Sequence, residues 1–192
     1  MKSSYTLLPD NYEEVLLIDL KNNKNQFVFI NILSVILIIP FVVLYFFFEK
    51  SLSLSDGFRY SIILFISIPS LFLMIILHEL IHGLFFKIFG KGKLKLKFHG
   101  FAVSCSMPTN YFNKRSYFLI GLTPLVLLTI IYGLLSFFLY NTDYFILVYF
   151  PLALNFSGAA GDIYVVSLLM KMKKTVLVND TGIAMKIYDK TI

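Results

Sequence analysis

Apolar residues gather into four long runs, Phe27 to Phe48, Tyr60 to Phe86, Tyr117 to Tyr140 and Tyr144 to Met170, separated by short polar segments. Each run reaches the roughly 17–25 residues that a helix needs to cross the hydrocarbon layer. The pattern therefore predicts four transmembrane helices. The first run exceeds the roughly 7–15-residue apolar stretch of a cleaved signal peptide, and no small-residue cleavage site precedes Glu49-Lys50, so it is read as a retained helix. Between the second and third runs the period changes: Lys93-Leu94-Lys95-Leu96-Lys97-Phe98 alternates polar and apolar, as a half-buried strand does. The apolar run Phe101 to Cys105 follows a His99-Gly100 turn, which predicts a small cytoplasmic hairpin lying against the membrane. Thr175 to Val178, the turn-like Asn179-Asp180-Thr181-Gly182 and Ile183 to Tyr188 repeat that pattern as a C-terminal hairpin. Asp10 to Leu20 has mixed spacing and is read as a short interfacial helix. The expected fold class is an all-α membrane protein of about four transmembrane helices with these small cytoplasmic hairpins, forming a single domain over residues 1–192.

Composition agrees with a membrane protein. Hydrophobic residues make up 58% and charged residues 15%, against roughly 45–50% and 25% in soluble domains, and the mean hydropathy is +0.79. The 17 Lys and Arg are placed unevenly. Lys50 and Arg59 fall between the first two runs, and all the others lie on the opposite side of a four-span topology. Basic flanks stay in the cytoplasm, so both tails and the long middle loop are expected there. A net charge of +6 would suggest nucleic acid in a soluble protein. Here the charge sits at membrane edges, where it meets anionic headgroups, and no nucleic-acid partner is expected. Cys105 is the single cysteine, which excludes an intramolecular disulfide and a cysteine-based zinc site.

The second run carries His78-Glu79-Leu80-Ile81-His82. Residues four apart share one helix face, so His78 and His82 can bind one Zn2+ ion with Glu79 beside it. Zinc lowers the pKa of a bound water, Glu79 takes its proton as general base, and the resulting hydroxide attacks an amide carbonyl. Ionisable groups at membrane depth cost a few kcal/mol each even on lenient scales, and a divalent cation compensates several at once.

Catalytic zinc usually has three protein ligands. Asp162 in the fourth run is the candidate for the third. His82, His78 and Asp162 lie four to eight residues from the cytoplasmic ends of their runs, about 6–12 Å inside at 1.5 Å per residue, so the three share one depth. The run Ser157-Gly158-Ala159-Ala160-Gly161 allows close helix approach. Asn155, nearly two turns before Asp162, falls on the same face and is a candidate for holding substrate backbone or supporting a zinc ligand. His99 is a rival third ligand, although its Lys-rich turn favours a surface position. Cys105 is read as a packed thiol, with a thiolate over the metal as the alternative.

His78-Glu79-Leu80-Ile81-His82-Gly83 at the end of one apolar helix and Asn155 to Asp162 inside a later one resemble the bacterial membrane family described as putative zincin peptidases. That family is in turn similar to the site-2 proteases, whose metal is held by the two histidines of H-E-x-x-H and a distant aspartate. The resemblance implies His78, His82 and Asp162 as ligands, Glu79 as base, a bacterial cell membrane, and a substrate helix that is locally unwound before cleavage. One departure stands out: site-2 proteases place Gly after the aspartate, whereas here Gly161 precedes Asp162 and Ile163 follows. The strand Lys93 to Phe98 is expected to receive the unwound segment by strand addition.

The expected activity is that of a membrane-embedded zinc metalloendopeptidase acting on a membrane protein or peptide. An inactive membrane-peptide-binding, immunity or chaperone-type protein is the alternative, opposed by the intact Glu79. A metal transporter would need polar residues across the remaining helices, and the runs offer no such path. Four helices are few for enclosing a wet site in lipid, which leaves room for a homodimer or a partner protein.

Overall fold

The computed structural model describes residues 2–48, 57–99, 102–182 and 184–191. Glu49-Lys50, Gly100-Phe101 and Ile183, which the sequence reading used, lie outside the described residues. The protein is mostly helical. Helices α1 (Lys24–Phe48), α2 (Gly57–Phe89) and α3 (Lys114–Leu139) are long and apolar enough to cross a membrane. Helices α4 (Phe145–Gly158) and α5 (Ala160–Lys171) make a fourth candidate span if the pair, bent by 41°, counts as one. The bend falls in the small-residue run, where no large side chain locks the turn.

Side-chain caps set two helix starts. The Gln26 amide donates to Asn23 Oδ1 at 3.1 Å and the Ser116 amide to Asn113 Oδ1 at 2.8 Å, each satisfying an orphan donor of a first turn. At the C-terminal end of α2, the hydroxyls of Ser3 and Ser4 donate to the Phe89 carbonyl.

Two strands form the expected hairpin, β3 (Lys95–His99) and β4 (Ala102–Ser106), paired Leu96 to Cys105. The remaining strands correct the all-α expectation. β1 (Ser4–Tyr5), β2 (Tyr12–Asp19), β5 (Tyr111–Asn113), β6 (Leu177–Asp180) and β7 (Ala184–Lys190) build one five-stranded sheet of order β1-β5-β6-β7-β2, with every pairing antiparallel. The C-terminal hairpin is present as β6 and β7, joined through Gly182 at φ +79°. The segment read as an interfacial helix is β2: a bulge between Glu14 and Leu16 breaks its alternation and gives the mixed spacing. Short β1 and β5 carried no periodic signal at all.

The chain forms two compact units. The first comprises residues 1–30, 79–124 and 161–192. Its core joins the inner face of the sheet to helix ends through Phe86, Phe112, Tyr117, Ile120, Leu169 and Ile187. Tyr117 donates to Asp180 Oδ2 at 2.7 Å, and the Gly182 amide donates to Asp180 Oδ1 at 2.7 Å. Burial pushes the Asp180 carboxyl above its ordinary range, against the lowering effect of these two donors.

Among the described residues, the second unit, residues 31–78 and 125–160, consists of helices and turns. Its apolar surface faces outward, with Phe47 at 73% and Phe65 at 75% exposure, a state that suits lipid rather than water. Inside it, Phe41, Tyr45, Tyr149 and Phe150 pack ring to ring, and the Tyr149 hydroxyl donates to the Phe41 carbonyl at 2.6 Å. Pro151 lacks an N–H, which frees the carbonyl four residues earlier. That carbonyl, of Leu147, accepts the Ser70 hydroxyl at 2.7 Å.

Candidate metal centre

Helix α2 presents His78, Glu79 and His82 with one potential ligand atom each, all within 4.8 Å of one another. Both imidazoles are buried, at 8% exposure, which is costly without polar partners. Each receives one through Nδ1. In the helical unit, His78 Nδ1 lies 3.1 Å from Asn155 Oδ1. The Asn155 amide nitrogen donates to the Leu125 carbonyl at 3.1 Å and to Thr129 Oγ1 at 3.2 Å, so its oxygen is the atom turned to the ring. An amide oxygen only accepts, and His78 Nδ1 must therefore carry the proton. Asn155 is itself fully buried.

In the sheet-bearing unit, His82 Nδ1 lies 2.9 Å from the Ile120 carbonyl, which again only accepts. A neutral imidazole protonated at Nδ1 has its lone pair on Nε2. His82 Nε2 lies 3.5 Å from Asp162 Oδ2, close enough for a proton or a metal cation to be shared between the ring and the carboxylate. A histidine whose Nδ1–H is bonded to a protein acceptor is held with Nε2 as the nitrogen left for a metal. The donor set of two imidazoles and a carboxylate suits zinc.

Glu79 is held by a backbone group: the Cys105 amide of β4 donates to Glu79 Oε2 at 2.6 Å. The strand whose backbone meets Glu79 is thus β4, while Leu94 of the segment anticipated for strand addition lies against the same helix at Gly83. One turn further along the same face of α2, the Cys105 sulfur packs towards Gly83, where an added Cβ would stand 3.1 Å from Sγ. Burial first, then the Glu79 and Asp180 charges, push this thiol up to about 11. At neutral pH it stays protonated, which favours the packed-thiol reading over a thiolate ligand. His99 ends β3, and its side chain lies outside the described part.

The structure thus brings Asp162 to His82 and Asn155 to His78. The Ile120 carbonyl, the Cys105 amide and Thr129 were missed from sequence, two of them because backbone groups carry no residue-type signal.

These elements define a class: a mostly helical protein with several helices apolar enough to cross a membrane and an H-E-x-x-H metal-type site on one of them. Residues 71–177 match the family described as putative zincin peptidase, and the chain belongs to that family. The matched stretch contains the motif, the hairpin, Asn155 and Asp162. No curated protein and no solved structure matches the chain.

Proposed function

We propose that the chain is a membrane-embedded zinc endopeptidase in which His78, His82 and Asp162 hold the metal and Glu79 is the general base. The observation that carries this reading is the shared state of the two rings, each with Nδ1 donating to an acceptor-only oxygen and the second with Nε2 facing Asp162. A bound zinc ion supplies Lewis acidity towards an amide carbonyl and acidifies water. Glu79 accepts the proton of the attacking water, and the Cys105 amide fixes the carboxylate that does so. Asn155 orients His78 through its side-chain oxygen.

The substrate in this reading is a membrane protein or peptide whose helix unwinds locally, because a helical amide is shielded by its own hydrogen bonds. The Cys105 amide points at Glu79, which makes the edge of β4 the pairing edge nearest the base. Basic flanks set both termini on the cytoplasmic side of a bacterial cell membrane, and one domain spans residues 1–192, with a second copy or a partner completing the enclosure.

Metal content tests the reading directly. Purified wild type should carry zinc, and His78→Ala, His82→Ala and Asp162→Ala should each lose it. Zinc retained in Asp162→Ala alone would move the third ligand elsewhere. Zinc absent from wild type after reconstitution would overturn the proposal.

A further inference from the structure

Helix α3 contains Pro124, four residues after Ile120. In an α-helix the carbonyl of residue 120 is bonded by the N–H of residue 124, and proline has none. The Ile120 carbonyl is therefore released from its helical donor at the position where His82 Nδ1 meets it, at 2.9 Å. Ile120 is buried, at 1% exposure, out of reach of solvent as a replacement donor. An unbonded carbonyl in such a place is costly, and the imidazole is the side chain that satisfies it.

The same device operates elsewhere in the chain without chemistry attached. Pro151 frees the Leu147 carbonyl, and the Ser70 hydroxyl takes it at 2.7 Å. Pairing of a proline-released carbonyl with a polar side chain of α2 thus occurs in both compact units, and in the sheet-bearing unit the side chain is a residue of the metal motif.

We propose that Pro124 is a positioning residue for the metal centre: by withholding an N–H it reserves the Ile120 carbonyl for His82 and thereby fixes the ring with Nε2 presented to the ion. This inference rests on the zinc reading above. Restoring an N–H at position 124 lets the helix compete for the carbonyl and frees the ring to turn.

The test compares zinc affinity, by competition with a chromophoric chelator, and the visible spectrum of the cobalt-substituted protein. Both are measured on full-length protein in detergent micelles or nanodiscs, with helicity and thermal midpoint followed alongside. Pro124→Ala should weaken zinc binding about tenfold, the lower end for loss of a ligand's supporting hydrogen bond, and shift the cobalt bands. Pro40→Ala in α1 controls for loss of a membrane-helix proline and should leave both unchanged. Lactic acid at position 124, introduced by nonsense suppression, places an ester there: it lacks both the ring and the N–H, and should restore wild-type affinity and spectrum. Unchanged zinc affinity in Pro124→Ala, or a lactic-acid variant as weak as the alanine variant, overturns the inference while wild-type zinc content leaves the metal reading standing. Wild type without zinc sinks that reading instead.

Discussion

The two imidazoles of the motif sit one helical turn apart on α2 yet are held by different means. His78 is oriented by a side chain, Asn155, which is in turn held by the Leu125 carbonyl and Thr129. His82 is oriented by a main-chain carbonyl, and its Nε2 faces Asp162. A single substitution can delete the first support, whereas the second survives any change of the Ile120 side chain that keeps the backbone in place. The ring held by the helical unit should therefore be the more sensitive to mutation, and the ring held by the sheet-bearing unit the more robust.

Four substitutions sharpen or break this contrast. The largest effect is expected from Glu79→Gln, which leaves both rings supported. It should retain zinc while hydrolysis of a membrane peptide falls by about 10²–10⁴-fold, the usual worth of a positioned base. Zinc loss in that variant would mean that Glu79 acts as a ligand. Next comes Asn155→Leu, which keeps the branched shape and removes the acceptor for His78; zinc affinity should drop about 10–100-fold in a competition titration. Wild-type affinity there would break the comparison outright.

Thr129→Val acts one step further out, removing one of the two acceptors that hold the Asn155 amide. A weakening of a few fold, within the roughly 0.5–1.5 kcal/mol of an ordinary hydrogen bond, is expected in the same titration. The smallest effect belongs to Ile120→Leu. Repacking a buried residue without changing its volume costs less than about 1.5 kcal/mol, visible as a modest fall in thermal midpoint, and zinc affinity should stay at the wild-type value because the carbonyl remains. A zinc defect as large as that of Asn155→Leu would show that the side chain, not the backbone, governs His82.

Much of the site could be read beforehand because helix periodicity alone sets it. His78, Glu79 and His82 share a face by their spacing, and Asp162 lies at the depth of the histidines by its distance from the end of its run. Asn155 was expected on one face with Asp162 in a continuous helix, but the two fall on α4 and α5; its partner His78 was not foreseen, since identifying a hydrogen bond between α2 and α4 requires their rotation about their own axes. Ile120 and Cys105 contribute atoms that every residue possesses, so nothing in their identities marks them. Pro124 was legible in principle, as a proline inside an apolar run releases a carbonyl at a known offset.

The β structure divides in the same way. The hairpin β3–β4 and the C-terminal pair β6–β7 were visible through alternation and turn residues, which are local. Their assembly with β1, β5 and β2 into one sheet depends on pairings between the chain ends and the segment just before α3, contacts that no window of sequence contains.

What the sequence determined by itself follows from interactions within one segment. Apolar length specified helices long enough to cross a membrane, 3.6-residue periodicity placed the motif on one face, and period two marked the hairpins. Only the tertiary structure decided which carbonyl or amide each ring meets, which strand reaches Glu79, and how the chain ends join one sheet. The reason is directional: hydrogen bonds between distant segments depend on orientations to within a few tenths of an ångström, whereas burial and periodicity are tolerant enough to be written in residue types.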